Sequence, residues 1–233
     1  MGIYSCLLRT LLGNFIEILC EFWGEVFSWR LRFGDSKKMK LLLLKLTSGA
    51  LFLLLSCASL AKIEMYQIDP DHTYPSFEAD HLGGLSKWRG KINATEGVVT
   101  IDNDNLTGTV EIKMDMNTLD FGHEKMNQRA RKKDLFYVEK FPFAFYSGTL
   151  LFEDEAPKGI SGVLTLRGVS KPLDISIEEY KCIFHPIRLK RACGADAYAS
   201  FRRDDYGIDY GKILGFKMDV DLRISIEGIR TRN

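Results

Sequence analysis

The sequence lacks a net charge and most of the residues that carry catalytic or metal chemistry. Its 32 Lys/Arg are balanced by 31 Asp/Glu, so it has no basic excess with which to neutralise nucleic-acid phosphates. Its five cysteines include no Cys-x-x-Cys pair and are too scattered for a disulfide-built miniprotein. Its four histidines show no metal-ligand spacing, and there is no Gly-x-Ser-x-Gly elbow, P-loop or dinucleotide fingerprint. We therefore expect no nucleic-acid partner, no metal, no cofactor and no enzymatic activity.

Apolar residues are abundant enough for a packed core. The 233 residues are 45% hydrophobic and 27% charged. This composition excludes a wholly disordered, collagen-like or coiled-coil protein, and the length predicts one or two domains.

The first sixty residues read as a targeting segment. The segment that begins at Met39 starts with a basic residue, Lys40, and continues as an apolar stretch to Leu55. Ser59 and Ala61 then form a small-residue cleavage site. This order predicts a signal peptide over residues 39–61 and a protein exported to the periplasm. The remaining residues, 62–233, carry 25 Lys/Arg and 27 Asp/Glu and have the length of one domain.

Other readings of this segment stay open. The Leu-Leu-Ser-Cys sequence ending at Cys57 resembles a lipoprotein box, which would anchor the protein through a lipid on that cysteine. The apolar stretch could also remain as an uncleaved anchor. Because Met39 stands directly before the signal peptide, residues 1–38 are predicted to be a mis-called extension; their aromatic residues could instead form an amphipathic membrane segment.

Alternation with a period of two dominates the rest of the chain. From Phe216 to Glu227 six apolar residues alternate with six polar ones without an error, and residues 110–116 and 173–178 follow the same pattern. Such runs predict half-buried strands, and turn-forming clusters separate them. We predict about eight strands that close into an antiparallel barrel, because closure removes exposed edges. The apolar face points inward, so the barrel is filled with side chains or holds one small ligand.

One strand favours a cavity. Cys193, Ala195, Ala197, Ala199 and Phe201 share its apolar face, and three alanines in a row leave volume that something must occupy. Large residues from opposite strands, such as Phe216 and Met218, are the alternative to a ligand.

Two other segments stand out. Residues 123–136 contain no Gly or Pro and predict a short helical segment that could cover the barrel, with a cationic run at 129–133 that is read as a solvated face. The strand after Phe141 is apolar on both faces, so the sequence leaves open whether Phe143 and Phe145 or Ala144 and Tyr146 line the interior.

Cys182 and Cys193 are predicted to form a disulfide. They are the two cysteines left after cleavage at Ala61, in an exported domain where thiols oxidise. The strand that begins at Leu173 is predicted to end at Cys182 and the alanine strand to begin at Cys193. The residues between them would form the hairpin loop, and strand pairing would bring the two cysteines within bonding range.

The mature chain resembles the YceI-like family of exported, lipocalin-like proteins that bind polyisoprenoids. The similarity covers residues 66–227, and five short motifs in the right order carry it. These motifs are 66–73 with Phe77 and His81, 117–120 with 134–136, 141–146, Gly-Val-Leu-Thr-Leu-Arg-Gly-Val-Ser-Lys-Pro at 162–172, and Arg-Asp-Asp-Tyr-Gly-Ile at 203–208. Residues 126–130, Met-Asn-Gln-Arg-Ala, depart from the Arg-Asp-x-His-Leu usual in relatives, so polar contacts made there in relatives are not carried over.

The resemblance implies an eight-stranded lipocalin-like barrel whose cavity holds a long apolar chain without reacting with it. His72 and His81 would face the polar end of the ligand. The residues predicted to contact the apolar chain are Phe77, Tyr146, Leu164, Leu166, Ile175, Ile177, Ala195, Ala197, Ala199, Phe201, Phe216, Met218 and Val220.

Several functional questions stay open at this point. The ligand could be a polyprenol, an isoprenoid quinone, or a fatty acid or amide. An enzyme acting on a lipid and an envelope interaction module with a filled core are the alternative functions. Peripheral membrane contact and a homodimer are also compatible with the sequence.

Overall fold

The computed structural model describes residues 63–231, which lie within one unit of the chain, Ala61–Asn233. The predicted signal peptide, the alternatives at Cys57 and the extension over residues 1–38 lie outside the described residues. No helix in the described part of the chain is both long and apolar enough to cross a membrane.

The described residues form twelve strand segments and one α-helix. Their bounds are β1 (Glu64–Ile68), β2 (Tyr74–His81), β3 (Ser86–Ile92), β4 (Thr95–Asp102), β5 (Thr107–Asp115), β6 (Leu119–Asp120), α1 (Glu124–Ala130), β7 (Phe143–Glu153), β8 (Ala156–Leu166), β9 (Val169–Pro172), β10 (Ile175–His185), β11 (Lys190–Arg202) and β12 (Asp219–Arg230).

These segments make an eight-stranded antiparallel barrel, as predicted. We call each of the eight barrel positions a stave. Four staves consist of two strand segments that continue one another across a short interruption, and these are β1 with β2, β3 with β4, β5 with β6, and β9 with β10. The ring closes where β12 pairs with both halves of the first stave, through Tyr66 opposite Arg230 and Ala79 opposite Val220. Each stave pairs with its neighbour in sequence, so the barrel has no open edge.

The interruption in the first stave is a short 3-10 turn at Pro70–His72. Asp69 precedes it, and its side chain accepts a hydrogen bond from the Asp71 amide at 3.2 Å. Pro70 starts the turn because its fixed φ suits a helical position and it needs no backbone donor there. The turn therefore separates β1 from β2, and both segments pair with β12.

Helix α1 lies within the segment predicted to be helical. Asn127 is buried, and its amide accepts from the Phe121 N–H at 2.7 Å and donates to the Asp120 carboxylate at 2.9 Å. The bond from Asn127 lowers the pKa of the Asp120 carboxyl. These bonds fix the helix to β6 and place Ala130 in the core.

Cys182 and Cys193 form a disulfide in this structure. They stand directly opposite one another in the ladder between β10 and β11. The predicted loop was wrong, however: β10 continues to His185 and β11 begins at Lys190, so only four residues connect them. Three further residue pairs extend the ladder beyond the cysteines, up to His185 opposite Lys190.

Candidate functional site

The barrel interior contains an inner chamber of about 150 Å³. Strands β1, β2, β4, β5, β7, β8, β10, β11 and β12 contribute to it, mostly through inward-facing positions, as the period of two requires. Among residues 63–231, no Lys, Arg, His, Asp or Glu lines this chamber. Its wall is formed by Tyr66, Ile68, Thr73, Pro75, Thr95, Val99, Ile101, Val110, Ile112, Met114, Tyr146, Leu150, Pro157, Ile160, Leu164, Leu173, Ile175, Ile177, Tyr180, Cys193, Gly194, Ala195, Ala197, Leu222, Ile224, Ile226 and Gly228.

An outer chamber of about 380 Å³ lies next to it, beneath α1. It contains most of the aromatic lining, together with the side chains of Asp80, His81, Arg129 and Arg203. Its wall is formed by Phe77, Ala79, Asp80, His81, Trp88, Ile92, Met114, Met116, Leu119, Phe121, Met126, Arg129, Ala130, Leu135, Phe136, Ala144, Leu164, Leu166, Phe201, Arg203, Ile208, Tyr210, Phe216 and Val220.

The two chambers share part of their wall. Met114 of β5 and Leu164 of β8 line both of them. We call this shared part of the wall the waist, and the two chambers adjoin there.

Most residues predicted to contact a ligand lie in these walls. Eleven of the thirteen line a chamber. The inner-chamber group is Tyr146, Leu164, Ile175, Ile177, Ala195 and Ala197. The outer-chamber group is Phe77, Leu166, Phe201, Phe216 and Val220, together with Leu164 at the waist.

Ala199 and Met218 do not line either chamber. Both are buried in the core, at 3% exposure. Met218 precedes β12, and its carbonyl accepts from the Arg203 N–H at 2.9 Å. The alternation correctly predicts its burial between the exposed Lys217 and Asp219, but its side chain packs in the core and not along a chamber. Ala199 of β11 stands opposite Leu222 of β12, and its short side chain is buried within the barrel wall.

The two histidines predicted to face the polar end of the ligand lie in different places. His81 lines the outer chamber, where its ring stacks on Trp88 at 4.6 Å between centroids and meets the edge of Phe216 at 5.4 Å. His72 is exposed on the outside of the barrel, 3.3 Å from the Asp69 carboxylate, and lines neither chamber. Its predicted direction was wrong because it belongs to the turn between β1 and β2 and not to a strand.

β7, the strand after Phe141, directs Ala144 and Tyr146 into the barrel. Ala144 and Tyr146 are 1% and 6% exposed, whereas Phe143 and Phe145 are 38% and 46% exposed. Tyr146 can face the apolar interior because its hydroxyl donates to the Leu173 carbonyl at 3.0 Å. Burial raises the pKa of this hydroxyl.

Sequence reasoning missed part of the aromatic wall. Trp88 faces inward from β3, where Trp88, Gly90 and Ile92 alternate with three cations. That alternation was a usable signal. Phe121 had none, because it follows the two-residue strand β6 and only the folded chain brings it 5.4 Å from Phe77.

The charged residues of the outer chamber are already paired. Arg129 of α1 donates to the Asp134 carboxylate at 2.7 Å and stacks on the Tyr210 ring at 4.4 Å. Because the Asp134 carboxylate accepts this bond, the pKa of the Arg129 guanidinium is raised further. The cationic run predicted to be a solvated face therefore contributes Arg129 to the cavity wall.

Arg203 holds the loop that closes the outer chamber. Its guanidinium is buried and donates to the carbonyls of Ile208 and Tyr210 at 3.0 and 2.9 Å. Gly207 adopts a φ of 70° at the end of this turn, a conformation that glycine reaches without strain. The motif at 203–208 is thus a structural clamp on one end of the cavity. Within the described residues, no group of three His, Cys, Asp or Glu side chains could hold a metal ion.

Comparison with known proteins identifies the family of this barrel. The family model for the YceI-like domain matches residues 66–228. The chain belongs to the YceI-like family. A UPF0312 protein of Photorhabdus laumondii is 32% identical over 196 residues, covering 83% of this chain and 100% of that protein. A UPF0312 protein of Pseudomonas aeruginosa is 32% identical over 195 residues, with 81% and 100% covered.

Solved YceI-like structures share the fold of this chain. BcnA of Burkholderia cenocepacia matches with a TM-score of 0.56 at 14% identity, over 69% of this chain and 98% of that one. A polyisoprenoid-binding domain of Saccharophagus degradans matches with a TM-score of 0.51 at 14% identity, over 71% and 98%. Together they confirm the antiparallel barrel predicted from the alternation of apolar residues and the lipocalin-like fold that the family resemblance implies.

Proposed function

We propose that this protein is exported and holds a long-chain apolar lipid, an isoprenoid in the first instance, inside the barrel for transport or storage. The observation that carries the proposal is the pair of adjoining apolar chambers that meet at the waist. An oily ligand gains free energy by leaving water for such a space, and no reacting group is needed to bind it.

The size of the space matches a long chain. An apolar cavity of about 150 Å³ accepts a six-carbon ring, so chambers of about 150 and 380 Å³ have room for roughly twenty carbons by that measure. Burying twenty methylenes contributes about 16 kcal/mol at about 0.8 kcal/mol each. Association and ordering cost about 4–15 kcal/mol, so micromolar or tighter binding is expected.

Two further observations support the proposal. The Saccharophagus degradans domain of the same fold is a polyisoprenoid-binding domain. The disulfide between Cys182 and Cys193 fits an oxidising compartment outside the cytosol.

The loops beside the outer chamber suggest how an insoluble ligand arrives. Asp80 accepts hydrogen bonds from the backbone N–H groups of Gly83 and Lys217, both at 2.9 Å, which ties two loops together. These loops present four exposed apolar side chains, here called the loop patch: Leu82, Leu85, Ile213 and Leu214.

Because an isoprenoid resides in a membrane, we propose that the loop patch touches the membrane surface while the ligand is transferred. Ile213 is fully exposed, so its insertion among lipid chains would remove apolar surface from water.

Native mass spectrometry of the protein purified from its own cell envelope, followed by organic extraction, tests the proposed function. An intact copurifying lipid with a long apolar chain is the expected result. Turnover of an added lipid by the emptied barrel would indicate an enzyme instead. A barrel that carries nothing and takes up no added lipid would indicate an interaction module with a filled core.

A further inference from the structure

The hairpin that joins β10 and β11 exposes a group of large apolar side chains. Ile183, Phe184, Ile187 and Leu189 are 50%, 66%, 87% and 67% exposed, and we call these four the hairpin tip. Ile183 and Phe184 are neighbours in β10 and point to opposite faces of the strand. Because both are exposed, neither face of the strand packs against the barrel at this point.

The strand pairing explains this exposure. β10 pairs with β8 only at its first two residues, and β11 pairs with β12 only from Ala192 onward. The pairs Phe184–Arg191 and His185–Lys190 therefore have no third strand beside them among residues 63–231. The end of the hairpin is a two-stranded ribbon that continues past the neighbouring strands.

Local bonds hold the apolar side chains in this exposed position. The disulfide between Cys182 and Cys193 closes the base of the ribbon. At its turn, the Nδ1 atom of His185 accepts from the backbone N–H groups of Ile187 and Arg188 at 3.3 and 3.2 Å. The turn cannot fold its apolar side chains back onto the barrel without breaking these bonds. Clustered apolar residues exposed in this way mark interaction sites.

The hairpin is also cationic. Residues 181–195 contain four Lys/Arg and no Asp or Glu. Arg188 and Arg191 lie 3.2 and 3.9 Å from carboxylates of the first stave, while Lys181 and Lys190 have no ion pair among residues 63–231. Positive charge that is only partly balanced therefore surrounds the hairpin tip.

We propose that the hairpin tip docks on the surface of an anionic membrane. Apolar side chains interleaved with Lys and Arg gain free energy by entering the lipid interface while the cations pair with anionic head groups. A protein partner fits this surface less well, because protein interfaces are depleted in lysine. The other turns at this end of the barrel carry Asp104, Asp154 and Glu155, which the same membrane repels, so the contact is confined to the hairpin.

The interleaved cations make docking depend on the charge of the membrane. On neutral phosphatidylcholine, insertion of the tip would desolvate Arg188 and Lys190 without supplying a counter-charge. The hairpin and the loop patch lie at opposite ends of β11, so the loop patch stays free when the hairpin docks. The inference does not depend on what the barrel holds.

The test is flotation of the protein purified from its own envelope with two kinds of vesicle, pure phosphatidylcholine and an equal mixture with phosphatidylglycerol. On the anionic vesicles, Lys190→Gln should bind about 5-fold more weakly and Phe184→Ser about 10-fold more weakly, and added salt should shrink the first loss. Neither substitution should change binding to phosphatidylcholine. The matched controls, Phe145→Ser on the exposed face of β7 and Lys171→Gln on β9, should change neither.

Tryptophan fluorescence of Phe184→Trp gives a second, direct readout of insertion. Its emission should shift to the blue with the anionic vesicles, relative to the wild type, and not with phosphatidylcholine. Equal losses on both kinds of vesicle would overturn the inference, as would losses no larger than those of the controls together with an unshifted emission. A dimer that Phe184→Ser dissociates, without vesicle binding by the tip, would assign this surface to a second copy of the chain and overturn it as well.

Discussion

Replacing Ala197 with phenylalanine should close the inner chamber to a ligand while the barrel stays folded. Ala197 lines that chamber from β11, between Ile177 and Ile224 of the neighbouring strands. The substitution adds an aromatic ring at a position that lines the inner chamber. The ring should therefore occupy the volume that the lipid chain needs.

The expected magnitudes follow from the chamber volume. A space of about 150 Å³ accepts a benzene-sized group, so the phenyl ring displaces about six carbons of the ligand. At about 0.8 kcal/mol per methylene, the affinity loss is up to about 5 kcal/mol. Burial of the ring contributes about 1.5–3 kcal/mol to stability, which offsets the about 1–3 kcal/mol that overpacking costs.

Ala199 provides a control on the same strand face. It is equally small and buried but lines neither chamber, so phenylalanine has no space there. Ala199→Phe should lower the free energy of unfolding by about 1–3 kcal/mol or more, whereas Ala197→Phe should leave it within about 1 kcal/mol of the wild type. Denaturant unfolding gives the stabilities, and displacement of a bound fluorescent probe by geranylgeraniol gives the affinities.

Two results would refute this reasoning. One is a folded Ala197→Phe protein that binds geranylgeraniol as tightly as the wild type, which would place the ligand elsewhere. The other is equal destabilisation by the two phenylalanines, which would mean that the space beside Ala197 is not available to a side chain.

Three further predictions concern the disulfide, an acidic side chain and the loop patch. Thiol counting on the denatured, unreduced protein from which residues 1–61 have been removed should find no free thiol, and replacing both Cys182 and Cys193 by serine should cost about 2–3 kcal/mol of stability; two free thiols would exclude the bridge. The hydrogen bond from Lys212, aided by Arg202, lowers the pKa of Asp204 from 3.8 to about 2, so its stabilisation is complete above about pH 4 and is lost as the pH falls towards 2. Asp204→Asn should therefore lose about 1 kcal/mol at pH 7, after allowance for the half-exposed partners, and most of this difference from wild type should be gone at pH 2, where the carboxyl is half protonated; an equal loss at both pH values would contradict this. Ile213→Asp should weaken binding to phosphatidylcholine vesicles in flotation assays, and Ile187→Asp, at the exposed hairpin between β10 and β11, should not; equal effects would rule out the loop patch.

The sequence by itself determined the barrel and most of its lining. Alternation from Phe216 to Glu227 and along the alanine strand sets which side chains share a face, because successive residues of a strand point to opposite sides. At least one face of each strand is apolar, so the apolar faces must meet inside. This local rule located Ala197, Ile177 and Val220 correctly without any knowledge of the strand order.

Only the tertiary structure decided the features that depend on interrupted strands and on residues distant in sequence. His72 was misplaced because it lies in the turn at Pro70–His72, outside a strand, where alternation no longer applies. Alternation predicted the burial of Met218 and Ala199 but not that their side chains pack in the core and line neither chamber. The choice between Phe143 and Ala144 had no local signal, since both faces of that strand are apolar. That β10 continues past Cys182 with both Ile183 and Phe184 exposed could not be read from the sequence either, because the surroundings of a strand depend on which other strands pair beside it.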